Sequence, residues 1–173
     1  MSINTPRAYL RKSLAFVLLI IGAASAQAQD DRLTLQAANQ IIEGAIAFAR
    51  DQGFRPLTIV VLDASGDLKA MQREDGASMF RVDVATGKAW GAVGMGASSR
   101  YLAERAEGNP NFFVTLAATA DGRFLPQPGA VLILDDEGRV LGAAGASGAA
   151  GTEDEAAVAA GIRAAGLQTD IDE

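Results

Sequence analysis

The 173-residue chain contains no histidine and no cysteine, and each absence removes whole classes of chemistry. Without an imidazole or a thiol it cannot assemble a Ser-His-Asp or Cys-His catalytic site, a His-based zinc site, or a His or thiolate bond to haem iron. Disulfides are excluded as well. Positive charge is in deficit, with 15 Lys and Arg against 21 Asp and Glu and a net charge of −6. Such a balance disfavours nucleic acid and anionic membrane as partners.

Long apolar runs are also scarce. The one that stands out, Leu14-Ala15-Phe16-Val17-Leu18-Leu19-Ile20-Ile21, follows Arg7, Arg11 and Lys12 and precedes two small-residue sites, Ala24-Ser25-Ala26 and Ala26-Gln27-Ala28. That layout predicts a secretory signal peptide over residues 1–28, cleaved after Ala28, with an uncleaved N-terminal anchor as the competing reading. No later run approaches the roughly 20 apolar residues of a membrane span. The expectation is a periplasmic or secreted protein with no span after cleavage. Its mature part, residues 29–173, keeps a net charge of −9 because the leader holds three bases and no acid. Its 145 residues match one domain with its own core.

Leu35, Ala38, Ile42, Ala45 and Ala49 recur at helical spacing, with Thr34 as N-cap and Gly53 as terminator. Leu57–Leu62 and Asp67–Met71 flank the turn Asp63-Ala64-Ser65-Gly66 and predict a hairpin. Ser78–Gly94 reads mainly as helix and Ser98–Glu107 as a shorter one begun by a serine cap. One further turn of helix is expected over Asn111–Ala117, and a loop or short strand over Thr119–Pro128. Ala130–Leu134 and Arg139–Ala144 form a second hairpin around Asp135-Asp136-Glu137-Gly138, followed by a glycine-rich bend over Gly145–Gly151. Thr152-Glu153-Asp154-Glu155 then predicts a helix opened by a capping box, with Thr152 as the cap. These elements predict one α+β domain, an antiparallel sheet of four to five strands with helices packed on it.

The hairpin ending in Gly142-Ala143-Ala144-Gly145-Ala146-Ser147-Gly148, followed by Thr152-Glu153-Asp154-Glu155 and an alanine-rich helix, resembles the haem-degrading GlcG/HbpS-like family, also found at the C-terminus of PduO-type proteins. Upstream, Thr86-Gly87-Lys88-Ala89-Trp90 and Ser99-Arg100-Tyr101-Leu102 match that family's motifs, so the resemblance runs from about Leu33 to Leu167. It implies a homo-oligomer that binds a small molecule, with haem as cofactor.

Three short motifs fail on inspection. Gly145-Ala146-Ser147-Gly148 lacks nucleophile-elbow spacing and a general base. Gly87-Lys88 lacks the upstream glycine and the Ser or Thr of a phosphate loop. Gly94-Met95-Gly96 follows no strand, as a dinucleotide fingerprint requires. The second helix does hold Gly87, Gly91 and Gly94 on one narrow face, each costing about 1 kcal/mol of helix propensity against alanine. Something approaches that face closely: either the protein's own sheet or helices, or a flat macrocycle.

Candidate ligand-binding residues are Lys88, Gly87, Gly91, Arg81, Arg100, Ser147 and Gly148. Lys88 could meet a ligand carboxylate, or pair with Asp83 or Glu104 inside the fold. Ser147 serves as a bend residue whose hydroxyl binds backbone or ligand. Bound iron would turn to Met71, Met79, Met95, Tyr101, a Thr oxygen, a Lys nitrogen or water, although Met71 and Met79 read first as core fillers. The acidic groups at 135–137, 153–155 and 170–173 have no EF-hand spacing, and no metal is assigned. Three functions follow: an exported, non-catalytic binder of a haem-like ligand; an enzyme or accessory in hydroxy-acid or alcohol oxidation; and an oligomeric iron-binding stress protein.

Overall fold

The computed structural model describes Met1 and residues 32–171, so the expected leader lies outside the described residues. Four strands, β1 (Thr58–Asp63), β2 (Leu68–Arg73), β3 (Ala130–Leu134) and β4 (Val140–Ser147), pair antiparallel in the order β2-β1-β4-β3. Each hairpin turn is held by one aspartate. Asp63 Oδ1 accepts from the amides of Ser65 and Asp67, and Asp135 Oδ1 from those of Glu137 and Arg139.

Strands β1, β3 and β4 are apolar on both faces because helices cover both, whereas the edge strand β2 is mostly exposed. Ile59 and Val61 of β1, Val131 and Ile133 of β3, and Ala144 and Ala146 of β4 meet α1 (Leu35–Asp51) and α5 (Gly151–Ala164). Val60, Leu62, Ala130, Leu132 and Ala143 point the other way, against Ala85, Ala89 and Ala92 of α2 (Arg81–Met95). Full burial of a side chain such as Ile59 contributes about 1.5–3 kcal/mol. Helices α3 (Ser99–Gly108) and α4 (Pro110–Thr119) close a smaller cluster of Leu102, Phe113 and Phe124. No helix among the described residues is long and apolar enough to cross a membrane.

Small residues set how closely the layers approach. A Cβ on Gly161 of α5 would strike the Ile41 carbonyl and lie 2.8 Å from the Ala45 amide nitrogen, so α1 and α5 touch backbone to backbone. A Cβ on Gly145 of β4 would strike the Ala85 carbonyl and sit 3.0 Å from Ala89 Cβ, so α2 lies equally close to the sheet.

Several expected boundaries move for identifiable reasons. Helix α2 starts at Arg81, after turns at 75–76 and 79–80. Ser98 precedes α3 but does not cap it with its side chain. Its hydroxyl instead accepts from the Leu132 amide at 3.0 Å, and Ser99 Oγ accepts from the Ala130 amide at 2.8 Å. Together they satisfy the outer edge of β3, a need the local sequence does not show. Helix α4 runs ten residues because Pro110 starts it. Strand β4 extends through Ser147, so Gly145 and Ser147 lie in the sheet and not in a bend. Helix α5 begins at Gly151 with Ala150 as its cap residue. Alanine has no oxygen to offer, so only the reverse half of a capping box forms, from the Ala150 amide to Glu153 Oε2 at 3.0 Å. The 119–128 segment makes no strand.

Gly145→Ala should destabilise the fold by about 1–3 kcal/mol through forced separation of α2 from β4. A lowered urea midpoint at unchanged m-value is the expected result; an unchanged midpoint would refute the backbone contact.

Candidate functional site

Lys88 points from α2 towards the end of β4, where its side chain is only 5% accessible. Its ammonium donates to Asp154 Oδ2 at 2.9 Å and to the Ala146 carbonyl at 3.1 Å. The other Asp154 oxygen accepts from the Ala149 amide at 3.0 Å. Gly129 leaves the room for this pair, since a Cβ there would lie 2.6 Å from Lys88 Nζ. The expected partners Asp83 and Glu104 are both exposed. Asp154 replaces them because α5 starts where β4 ends, and its first turn faces the lysine.

A cavity of about 400 Å³ opens beside the pair, bounded by Arg81, Lys88, Gln127, Ser147, Thr152 and Asp154 among others. Arg81 Nη1 donates to Ser147 Oγ at 3.3 Å. Among the described residues Arg81 makes no ion pair. Lys88 is already neutralised by Asp154, so the half-buried Arg81 guanidinium supplies the uncompensated charge. A cation in partly desolvated surroundings attracts an anion far more strongly than one in bulk water.

Of the residues singled out from sequence, Arg81, Lys88 and Ser147 thus line one cavity. The rest are elsewhere. A Cβ on Gly87 would meet Leu125 Cβ at 3.1 Å, and one on Gly91 would meet the Phe124 ring at 3.2 Å. Leu125 also donates its amide to the Gly87 carbonyl at 3.2 Å. The chain's own 123–125 segment therefore covers Gly87 and Gly91 and leaves no room over them for a macrocycle, while a Cβ on Gly94, the third glycine of that face, would meet nothing within 4 Å. Gly148 packs on the Pro56–Leu57 backbone.

Arg100 sits at a separate groove of about 450 Å³ with Phe48, Glu155 and Arg163. Its Nε donates to the two oxygens of the buried Glu155 at 2.9 and 3.0 Å. Those hydrogen bonds raise the guanidinium pKa above its ordinary value, against the effect of burial and with the attraction of the Glu155 charge. Glu155 is thereby occupied and does not reach back to cap α5.

Met71 and Met79 are 44% and 73% exposed, so neither fills the core. Strand β2 is a sheet edge and Met79 lies in the turn before α2. Among the described residues no three acidic side chains converge as a metal site. Sequence reasoning missed Asp154, Gly129, Gln127 and Thr152 as site residues. The signal for Asp154 was present, because a buried lysine demands a carboxylate and α5 opens with three in a row.

The family model described as "Haem degrading protein HbpS-like" matches residues 33–163. The chain belongs to this HbpS-like family. Its fold is that of PduOC, crystallised as a haem complex, with a TM-score of 0.72 at 22% identity over 80% of this chain and 98% of that one. The Klebsiella pneumoniae protein ORFY gives 0.70 at 21% identity over 81% and 92%. A double mutant of Streptomyces reticuli HbpS gives 0.66 at 28% identity over 76% and 86%. Among curated proteins none matches.

In this HbpS-like chain, Lys88→Met should cost about 3–5 kcal/mol, since it strands Asp154 as a buried, unpaired charge. Lys88→Met with Asp154→Leu should recover most of that loss. A urea-denaturation double-mutant cycle measures both, and additive losses would disprove the coupling.

Proposed function

We propose that this chain is an exported binding protein for haem or a similar planar, carboxylate-bearing molecule, without a catalytic centre of its own, working in the periplasm or outside the cell. The observation that carries the reading is Arg81: half-buried at the cavity, its guanidinium hydrogen-bonded to the Ser147 hydroxyl, and without an acid partner among the described residues. Membership of the HbpS-like family and the likeness to a protein crystallised with haem support the same ligand class. The leader-like residues 1–28 support export.

The residues present fit the acid edge of haem. Arg81 presents a planar fork suited to a carboxylate, and the Ser147 hydroxyl beside it keeps its own proton free to donate. The first turn of α5, at Gly151 and Thr152, brings amide groups to the same cavity. Bound haem would contribute a redox-active iron. The chain's own side chains can orient the acid groups, but none is an imidazole or thiol, so any side-chain ligand to the iron must come from oxygen, thioether or amine donors.

Titration with haemin should produce a saturable Soret shift. Arg81→Gln should weaken it about tenfold or more, the worth of a charge-assisted hydrogen bond. Absence of any saturable shift at micromolar haemin would sink the reading.

A further inference from the structure

The Arg81 cavity, at about 400 Å³, can take the acid edge of a macrocycle but not all of it. Sites that enclose a drug-sized ligand run from roughly 300 to 1,000 Å³, and a macrocycle is larger than such a ligand. The apolar body must therefore leave the cavity on one side. Towards Gly87 and Gly91 the way is closed by the 123–125 segment. Past Ala149 lies a recess of about 520 Å³, where Arg55 and Glu153 bring charge and Phe54 is the one large apolar side chain among the described residues. Past Thr152 lies the groove of about 450 Å³ that also holds Arg100, and Thr152 lines both it and the Arg81 cavity.

Helical spacing builds this groove. Thr152, Ala156, Ala159, Ala160 and Arg163 recur on one face of α5, and at about 1.5 Å per residue they run roughly 16 Å along it. Alanine keeps the face low and apolar at no cost in helix propensity. Phe48 of α1 and Ile171 complete the lining. Arg163 fixes Ile171 in place, because its Nη2 donates to the Ile171 carbonyl and to Thr169 Oγ1, each at 3.4 Å. The buried Glu155 carboxylate is neutralised by Arg100, so no bare negative charge faces the groove from α5. An alanine floor, an aromatic side chain and a neutral ion pair suit hydrocarbon, whereas the unpaired Arg81 suits an acid.

We propose that the groove along α5 seats the apolar body of the ligand whose acid edge Arg81 holds, with Thr152 as the saddle between the two recesses. The assignment rests on the binding reading above and extends it to Phe48, Ala156, Ala159 and Ala160. The ligand it defines is a long, flat molecule with its acid groups at one edge. A second copy of the chain laid in the groove would cover the same alanines but leave the Arg81 guanidinium without an anion, so the shared Thr152 wall favours the ligand.

The test uses Ala156→Gln in the purified chain. Glutamine forms helix well, adds no charge and enters at an exposed position, so the urea midpoint should stay where it is. Haemin binding, read by the Soret shift, should weaken about tenfold, the loss expected when roughly 60 Å² of apolar contact gives way to a polar amide. Ala160→Gln, one turn further along, should do the same. Ala118→Gln, on α4 and outside both recesses, should bind haemin as the wild type does. Benzoate, small enough for the Arg81 cavity alone, should shift the Ser147 amide equally in wild type and Ala156→Gln. Unchanged haemin affinity in both groove variants would overturn the groove and leave the binding reading standing. If those variants instead convert a wild-type dimer to a monomer in sedimentation with haemin affinity unchanged, the groove belongs to a second copy and the proposal fails. Equal weakening of haemin and benzoate would trace the effect to the Arg81 cavity and overturn it too. Absence of saturable haemin binding by the wild type would overturn both readings.

Discussion

One buried ion pair fixes the geometry on which everything else at the site depends. Lys88 and Asp154 are both nearly inaccessible, and each satisfies the other together with one backbone group, the Ala146 carbonyl and the Ala149 amide. Three elements are thereby pinned at one point: α2 through the lysine, the end of β4 through the carbonyl, and the start of α5 through the carboxylate. A displacement of about an ångström would leave a charge unpaired in a poorly polarisable interior, which is why such pairs are costly to break although their formation gains little. The cavity wall is built on this joint. Because the pair is internally neutral, the charge presented to a ligand comes from Arg81, which stands a little further along.

The glycines and alanines serve the same joint at a larger scale. Lys88 reaches Ala146 because α2 lies against β4 with no side chain at Gly145 between them. Asp154 reaches Lys88 because Gly129 leaves their meeting point empty of a Cβ. The chain gives up helix and strand propensity at these positions for close approach, a local conflict that tertiary packing resolves.

How much of this was legible in the sequence follows the range of the interaction concerned. Short-range features read correctly: the Thr34 cap, whose hydroxyl accepts from the Ala37 amide at 3.1 Å, the two Asp-bearing hairpin turns, and the apolar strands that flank them. Long-range assignments failed wherever two residue types were equally able to serve. Lys88 needed a carboxylate and Asp83 and Glu104 were the partners expected, but the packing of α5 against β4 brings Asp154 to it instead. Ser98 had the form of a helix cap, yet a strand edge some thirty residues away competed for its hydroxyl and won. The strip at Gly87 and Gly91 was recognised as a place of close approach. What approaches it is Phe124 and Leu125, from a segment with no periodicity to betray it.

The site is cationic on a chain whose net charge is −6, and this opposition constrains how a ligand is found. At physiological ionic strength the Debye length is about 8 Å, so an approaching anion meets mainly the local field of Arg81 and not the sum over the surface. Long-range steering therefore contributes little or is mildly repulsive, and association is not accelerated as it would be by a broad positive face. Recognition falls instead on short-range geometry, a planar guanidinium fork and aligned hydroxyl donors in a partly desolvated recess, whose attraction salt screens only weakly. A ligand suited to such a site needs enough apolar surface to reach the recess without electrostatic guidance and an acid group to hold it once there.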